Sequence, residues 1–238
     1  MKPLSRPLFR YFWSKWLTSK HYPAPVYQTI VEPFAGSACY ACQYPDLEII
    51  LCDLDPDVAA LWNYLIHVDV EEIRALPVAS LVQGQDLREL DISDGAKNLI
   101  RHWQRVGSCG CHTVSNWNNR PGLWQESVKL ALIENLPRIR HWKAFCIGYQ
   151  DLPNLQATWF IDPPYQHVGG YRFDKRQMDF NSLSQFCRSR EGQVIVCEQQ
   201  GADWLPFRPF REVTSGRTKQ GGTRHKESEV IWTSEGAL

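Results

Sequence analysis

The chain has 238 residues, 43% hydrophobic and 22% charged, which suits one globular catalytic domain carrying an inserted subdomain and excludes a low-complexity protein. Its 26 basic and 26 acidic residues cancel to a formal charge of zero, so a nucleic-acid surface would need its basic groups clustered on one face. No apolar run is long enough to span a bilayer, and prolines and arginines interrupt the N-terminus before a signal core forms, so we expect a cytoplasmic protein.

Residues 1–25 contain the run Arg10-Tyr11-Phe12-Trp13-Ser14-Lys15-Trp16, which is either a ligand loop or an aromatic cluster packed on the core. A strand is predicted over 27–31, running into Glu32-Pro33-Phe34-Ala35-Gly36-Ser37. Gly36 allows close backbone approach, and the small residues after it suit a helix start. Glu32 is not explained by packing, because a carboxylate at the end of a core strand is costly unless paired. The next strand, 48–52, leads through Asp53, Leu54 and Asp55 into a helix over 56–67. Proline at the first helical position gives Asp55 the cap. Asp53, at the strand end, is then placed to accept the ribose hydroxyls of a nucleoside.

Eight cysteines are present. Cys39 and Cys42 fall on a predicted apolar helix, and Cys109 and Cys111 are too tightly spaced for a zinc knuckle, so we expect reduced, structural thiols and no metal. Residues 68–143 change character, with helical pieces over 96–106 and 124–136 and a turn-rich stretch over 107–122. We read them as an inserted recognition subdomain; a helical lid or an oligomer contact is the alternative. Asn116, Trp117, Asn118, Asn119 and Arg120 carry groups that pair with base edges and a ring that can wedge into a stack. The same residues also suit a solvent-exposed asparagine turn.

A strand resumes over 144–147, followed by Tyr149 and Asp151. The apolar run Thr158-Trp159-Phe160-Ile161 reads as a buried strand that stops abruptly at Asp162-Pro163-Pro164-Tyr165. Each proline holds the residue before it extended, so this is a stiff turn at a strand's carboxyl end, where open α/β sheets bind ligands. A loop with Gly169 and Gly170 follows, then a helix over 181–190 and strands over 193–197 and 229–233, with Glu198 and Gln199 at a strand end. Three basic clusters are candidates for phosphate contact: Arg172, Lys175 and Arg176; Arg138, Arg140, His141 and Lys143; and Arg217, Lys219, Arg224, His225 and Lys226.

The Asp162–Tyr165 turn suits methylation of an amine whose lone pair is delocalised into a ring. Such a nitrogen reacts once acceptors hold its hydrogens: the Asp162 carboxylate is one and the Pro163 carbonyl a second, with the Tyr165 ring as a stacking face for a base that has left the duplex. The turn resembles motif IV, DPPY, of the S-adenosyl-L-methionine-dependent amino-methyltransferases. The stretches at 31–37, 51–56 and 10–16 resemble their motifs I, II and X, in the order of the Dam-like N6-adenine DNA methyltransferases, particularly compact phage and prophage members. Trp13 stands where that family usually has glycine.

The resemblance implies an α/β, Rossmann-like mixed-sheet class I methyltransferase fold with a mainly helical insertion. Residues 1–67 and 144–238 would form the catalytic and cofactor-binding domain, and 68–143 a DNA-recognition subdomain. Catalysis would fall to Asp162, Pro163, Pro164 and Tyr165. S-adenosyl-L-methionine would be held by Tyr11, Lys15, Glu32, Pro33, Phe34, Ala35, Gly36, Ser37, Asp53, Leu54, Tyr149, Asp151 and Asp162. Double-stranded DNA would meet residues 116–120 with Arg172, Lys175 and Arg176. We expect a monomer or weak dimer in a bacterium or phage-infected host, marking DNA with site-specific or relaxed specificity. The alternatives are methylation of an amine in RNA or protein, and a DNA-binding relative without catalysis.

Overall fold

The computed structural model describes residues 2–11, 14–104, 112–114, 123–167, 178–218 and 224–234, with backbone alone over 213–218 and 224–227. Seven strands form one mixed sheet: β1 Thr29–Glu32, β2 Glu48–Cys52, β3 Lys143–Phe145, β4 Ala157–Ile161, β5 Gly192–Gln199, β6 Arg208–Thr218 and β7 Arg224–Thr233. Their order is β3-β2-β1-β4-β5-β7-β6. The first five neighbours run parallel, and β7 enters antiparallel between β5 and β6.

Burial explains why the central strands are apolar on both sides. Alternate residues feed two cores: Ile30, Phe160, Ile195 and Cys197 point into one, Val31, Trp159, Ile161, Val194 and Val196 into the other. The first core is covered by the N-terminal segment and helices α1 Pro56–His67, α2 Val70–Ala75, α3 Asp94–Trp103 and α4 Glu126–Asn135. On the second face lies α5 Phe180–Ser189, through Leu183, Phe186 and Cys187. Chain order reverses between β1 and β4, leaving a crevice at their carboxyl ends.

Strand β2 and helix α1 have the bounds expected from sequence, and Asp55 caps α1, its Oδ1 accepting from the Asp57 amide at 3.0 Å. The helix expected after Gly36 is instead a 3-10 turn, Ala41–Gln43, because the chain first passes through positive φ at Gly36 and at Ala38 (φ 44°). Strand β6 and helix α2 were not anticipated, and β7 begins five residues before 229.

The described part of 68–143 is helical and shares one continuous buried cluster with α1 and the N-terminal segment. Trp103 Nε1 donates to the Leu8 carbonyl at 3.0 Å, and Arg101 pairs with Asp57 at 3.1 Å. Much of the basic cluster expected to meet phosphate is turned to internal use. Arg140 donates to the Ile66 and Val68 carbonyls at the end of α1, Arg138 pairs with Asp46 at 2.8 Å, and His141 Nε2 lies 2.9 Å from the Leu47 carbonyl. Carbonyls left over at a helix end attract such donors. Among the described residues no helix is long and apolar enough to cross a membrane.

Candidate active site

The carboxyl ends of β1 and β4 open onto one pocket, lined by Tyr11, Ser14, Lys15, Glu32, Phe34, Ala35, Gly36, Ser37, Ala38, Cys39, Phe160 and Asp162. Three separate stretches of sequence therefore meet there: the N-terminal run, the loop after β1 and the turn after β4. Pro33 is buried beneath this loop, as is Pro163 beneath the turn, while Pro164 is half-buried. Gly36 has φ 45°, and a Cβ on it would lie 2.9 Å from the Tyr11 ring, so only glycine fits the approach of these two segments. Trp62 Nε1 fixes the Gly36 carbonyl at 2.8 Å. Glu32 has the partner it needs: its Oε1 accepts from the Ala41 amide at 2.7 Å. Burial pushes its carboxyl well above the usual range, with the nearby Asp162 charge adding to the effect.

At the β4 end, charge is concentrated. Lys15 Nζ lies 3.6 Å from Asp162 Oδ1, 3.0 Å from Glu229 Oε1 and 4.5 Å from the centre of the Tyr165 ring. Glu229, on β7, also accepts from the Tyr22 hydroxyl at 2.6 Å and the Tyr165 hydroxyl at 3.1 Å. Burial raises the Asp162 carboxyl to about 6, with Lys15 opposing the shift and Glu229 adding to it. Burial also keeps the Tyr22 and Tyr165 phenols neutral by pushing them well above their ordinary value. Tyr165 is only 3% exposed, so its ring lies under the Lys15 ammonium, and a base could stack on that face only after Lys15 moves.

On the β2 side, Asp53 ties two loops together. Its Oδ2 accepts from the Gly36 amide at 2.9 Å and its Oδ1 from the Asp55 amide at 2.9 Å. Burial raises Asp53 to about 6 despite these bonds. Each oxygen still has a lone pair for a further donor. Phe34 and Tyr149 pack against each other with ring centres 5.5 Å apart, which joins the loop after β1 to the turn after β3. Leu54 is 54% exposed at the end of β2, and Asp151 is exposed. None of Asp53, Leu54, Tyr149 and Asp151 lines the pocket itself; Asp53 and Tyr149 reach it only through the loop after β1.

The turn after β4 is anchored by Glu198. Its Oε2 accepts from the Gln166 amide at 3.1 Å and from Trp204 Nε1 at 2.9 Å, while Oε1 accepts from the Gln199 amide at 2.8 Å. Ser14, Ser37 and Cys39 form a second knot, with Ser14 Oγ 3.0 Å from the Cys39 sulfur. Burial raises the Cys39 thiol to about 11, so it stays neutral. Trp13, Cys109, Cys111, Asn116, Trp117, Asn118, Asn119, Arg120, Gly169, Gly170, Arg172, Lys175 and Arg176 lie outside the described residues.

Sequence reasoning missed Glu229 and Tyr22. Glu229 follows Glu227 and Ser228 in the chain, and nothing in that polar run marks it as a carboxylate turned inward. No protein-family model matches this chain, and a search of curated proteins finds no match.

Proposed function

We propose that this chain is an S-adenosyl-L-methionine-dependent DNA adenine N6-methyltransferase on a Rossmann-like, class I methyltransferase fold. The observation that carries this reading is the convergence of Asp162 with the Glu32–Ser37 loop and Lys15 on one pocket, at the reversal of strand order. The parallel order β3-β2-β1-β4-β5 is that of a doubly wound nucleotide-binding sheet, and the antiparallel β7 extends it.

The residues present fit the cofactor. Gly36 lets Tyr11 pack against the loop that lines the pocket, Phe34 and Tyr149 offer apolar rings, and Asp53 offers acceptors for ribose hydroxyls beside the loop it braces. Tyr11, Lys15, Ala35 and Ser37 would line the methionine end, with Leu54 and Asp151 at the outer rim. When bound, the cofactor supplies an electrophilic methyl group on a sulfonium.

The chain's own part is to hold the amine. Asp162 accepts one N6 hydrogen and the Pro163 carbonyl accepts another, which pulls the nitrogen towards tetrahedral and frees its lone pair. With a carboxyl titrating near 6, Asp162 is largely ionised at neutral pH, so its acceptor is available without a stronger base. Residues 116–120 and Arg172, Lys175 and Arg176 remain the proposed DNA contacts on double-stranded substrate.

The test is transfer of a labelled methyl group from S-adenosyl-L-methionine to unmethylated double-stranded DNA, followed by nucleoside analysis. N6-methyladenine in the product is expected. Tight binding of S-adenosylhomocysteine with no transfer to DNA would move the reading to another amine or to a silent relative, and no binding at all would remove the cofactor.

A further inference from the structure

We propose that Glu229 is a positioning residue of this site: it draws the Lys15 ammonium off Asp162, so that the Asp162 carboxylate keeps lone pairs for the incoming amine. The inference rests on the proposed amine-methyltransferase reading and assigns a role within it to a strand that carries none of the recognised motifs.

The geometry is specific. Glu229, on β7, lies opposite Gln199 of β5, three strands along from β1 and two from β4, and is 5% exposed. Tyr22, Tyr165 and Lys15 all converge on its Oε1, while its Oε2 is buried with no hydrogen-bond partner. A buried carboxylate with one oxygen unsatisfied is costly. The two tyrosine hydroxyls do not require it, since an amide oxygen would accept from them equally well. Its negative charge is needed by Lys15 alone.

Lys15 stands closer to Glu229 than to Asp162, 3.0 Å against 3.6 Å. One ammonium is thus shared by two carboxylates, with the nearer claim held by Glu229. Its station over the Tyr165 ring and beside Asp162 is also where an amine held by Asp162 and stacked on Tyr165 would sit. Without Glu229 the ammonium would close on Asp162, occupying Oδ1 and blocking that place. With it, Lys15 has a second anchor to fall back on as the amine enters.

Glu229→Gln keeps the shape and removes the charge. Within electrostatic reach of Asp162 are Lys15, Tyr165 and Glu229, with Glu32 from β1 and Glu198 from β5. Tyr22, Cys39 and Cys197 also face it, and burial holds all three neutral. Removing one carboxylate from this set, with Lys15 moving onto Asp162, makes Asp162 easier to ionise.

The acid limb of kcat/KM should therefore move down by about one pH unit in Glu229→Gln, while kcat at pH 7.5 falls by about tenfold or more. A loss of rate with the limb unmoved would overturn the proposal, since that is what mere loosening does. Carbon-13 aspartate NMR of the folded, ligand-free protein, with the Asp162 signal identified by its loss in Asp162→Asn, reads the same midpoint without turnover. It should lie near 6 in the wild type and lower in Glu229→Gln; an equal midpoint would overturn the proposal. Glu229→Asp, which withdraws the charge without removing it, should show a smaller fall, and it decides the matter if the glutamine variant does not fold. Wild-type protein that transfers no methyl group would sink the functional reading, whereas the NMR midpoints would still test the coupling of Glu229, Lys15 and Asp162.

Discussion

Asp162 serves the proposed chemistry at the expense of the fold. Its carboxyl is raised to about 6 by partial burial beside a second carboxylate, whereas in the unfolded chain it would titrate near 3.8. An acid whose folded value is raised binds its proton more tightly when folded. Its ionisation therefore weakens the fold above pH 6, and that cost vanishes as pH falls through the window from about 6 to 4. Asp162→Asn should abolish methyl transfer, by at least about a hundredfold, yet raise the melting temperature at pH 7.5 by roughly 2 to 4 °C, the equivalent of about 1 kcal/mol for a domain of this size. Calorimetric melts beside the transfer assay check both halves, and a destabilised, inactive variant would count against the assignment. Asp53 and Asp55 offer a matched contrast two residues apart. Asp53→Ala should weaken S-adenosylhomocysteine binding by about 1.5 to 3 kcal/mol, through the lost acceptor and the freed Gly36 amide. Asp55→Ala should leave that affinity nearly intact and cost about 1 kcal/mol of stability as a lost helix cap; isothermal titration and chemical unfolding separate the two.

At the scale of elements, legibility followed punctuation. Strand β2 and helix α1 were readable because an apolar run ends at Asp53 and a proline follows the acidic cap. The turn after β4 was readable because two prolines stop a run buried on both sides. Strand β6 gives no such signal: it carries Pro209 and Gly216, lies at the sheet edge, and takes its place from pairing with β7 rather than from its own pattern. The small residues after Gly36 predict a helix, and the chain forms a 3-10 turn at Ala41–Gln43 instead, because composition does not show that Ala38 adopts positive φ. In the candidate site, the Glu32–Ser37 loop and Asp162 were legible as motifs. Glu229 and Tyr22 were not, because the contact that joins them depends on how a late antiparallel strand registers against β5. Sequence position carries no trace of that register.

For the molecule as a whole, the inserted segment is part of the core and not an appendage. Leu8, Phe9 and Trp62 share a buried cluster with Leu99, Ile100, Trp103 and Leu132, so removing 68–143 would bare a large apolar face. A chain in which a short linker replaces those residues is expected to aggregate or bind an apolar dye, and to show no S-adenosylhomocysteine binding by calorimetry. Folded, ligand-binding protein from that deletion would show that the insertion can be separated from the sheet.

The bond from Tyr22 to Glu229 spans 207 residues of sequence. During synthesis the pocket loop and the Asp162 turn leave the ribosome while β7 is still untranslated, so Lys15 then has Asp162 to pair with but not yet Glu229. A nascent chain stalled before Glu229 would hold every recognised motif and still lack the group that sets the lysine aside. If the proposed methyl transfer holds, competence would arrive only with one of the last strands to be translated, and the order of synthesis would itself keep an unfinished chain silent.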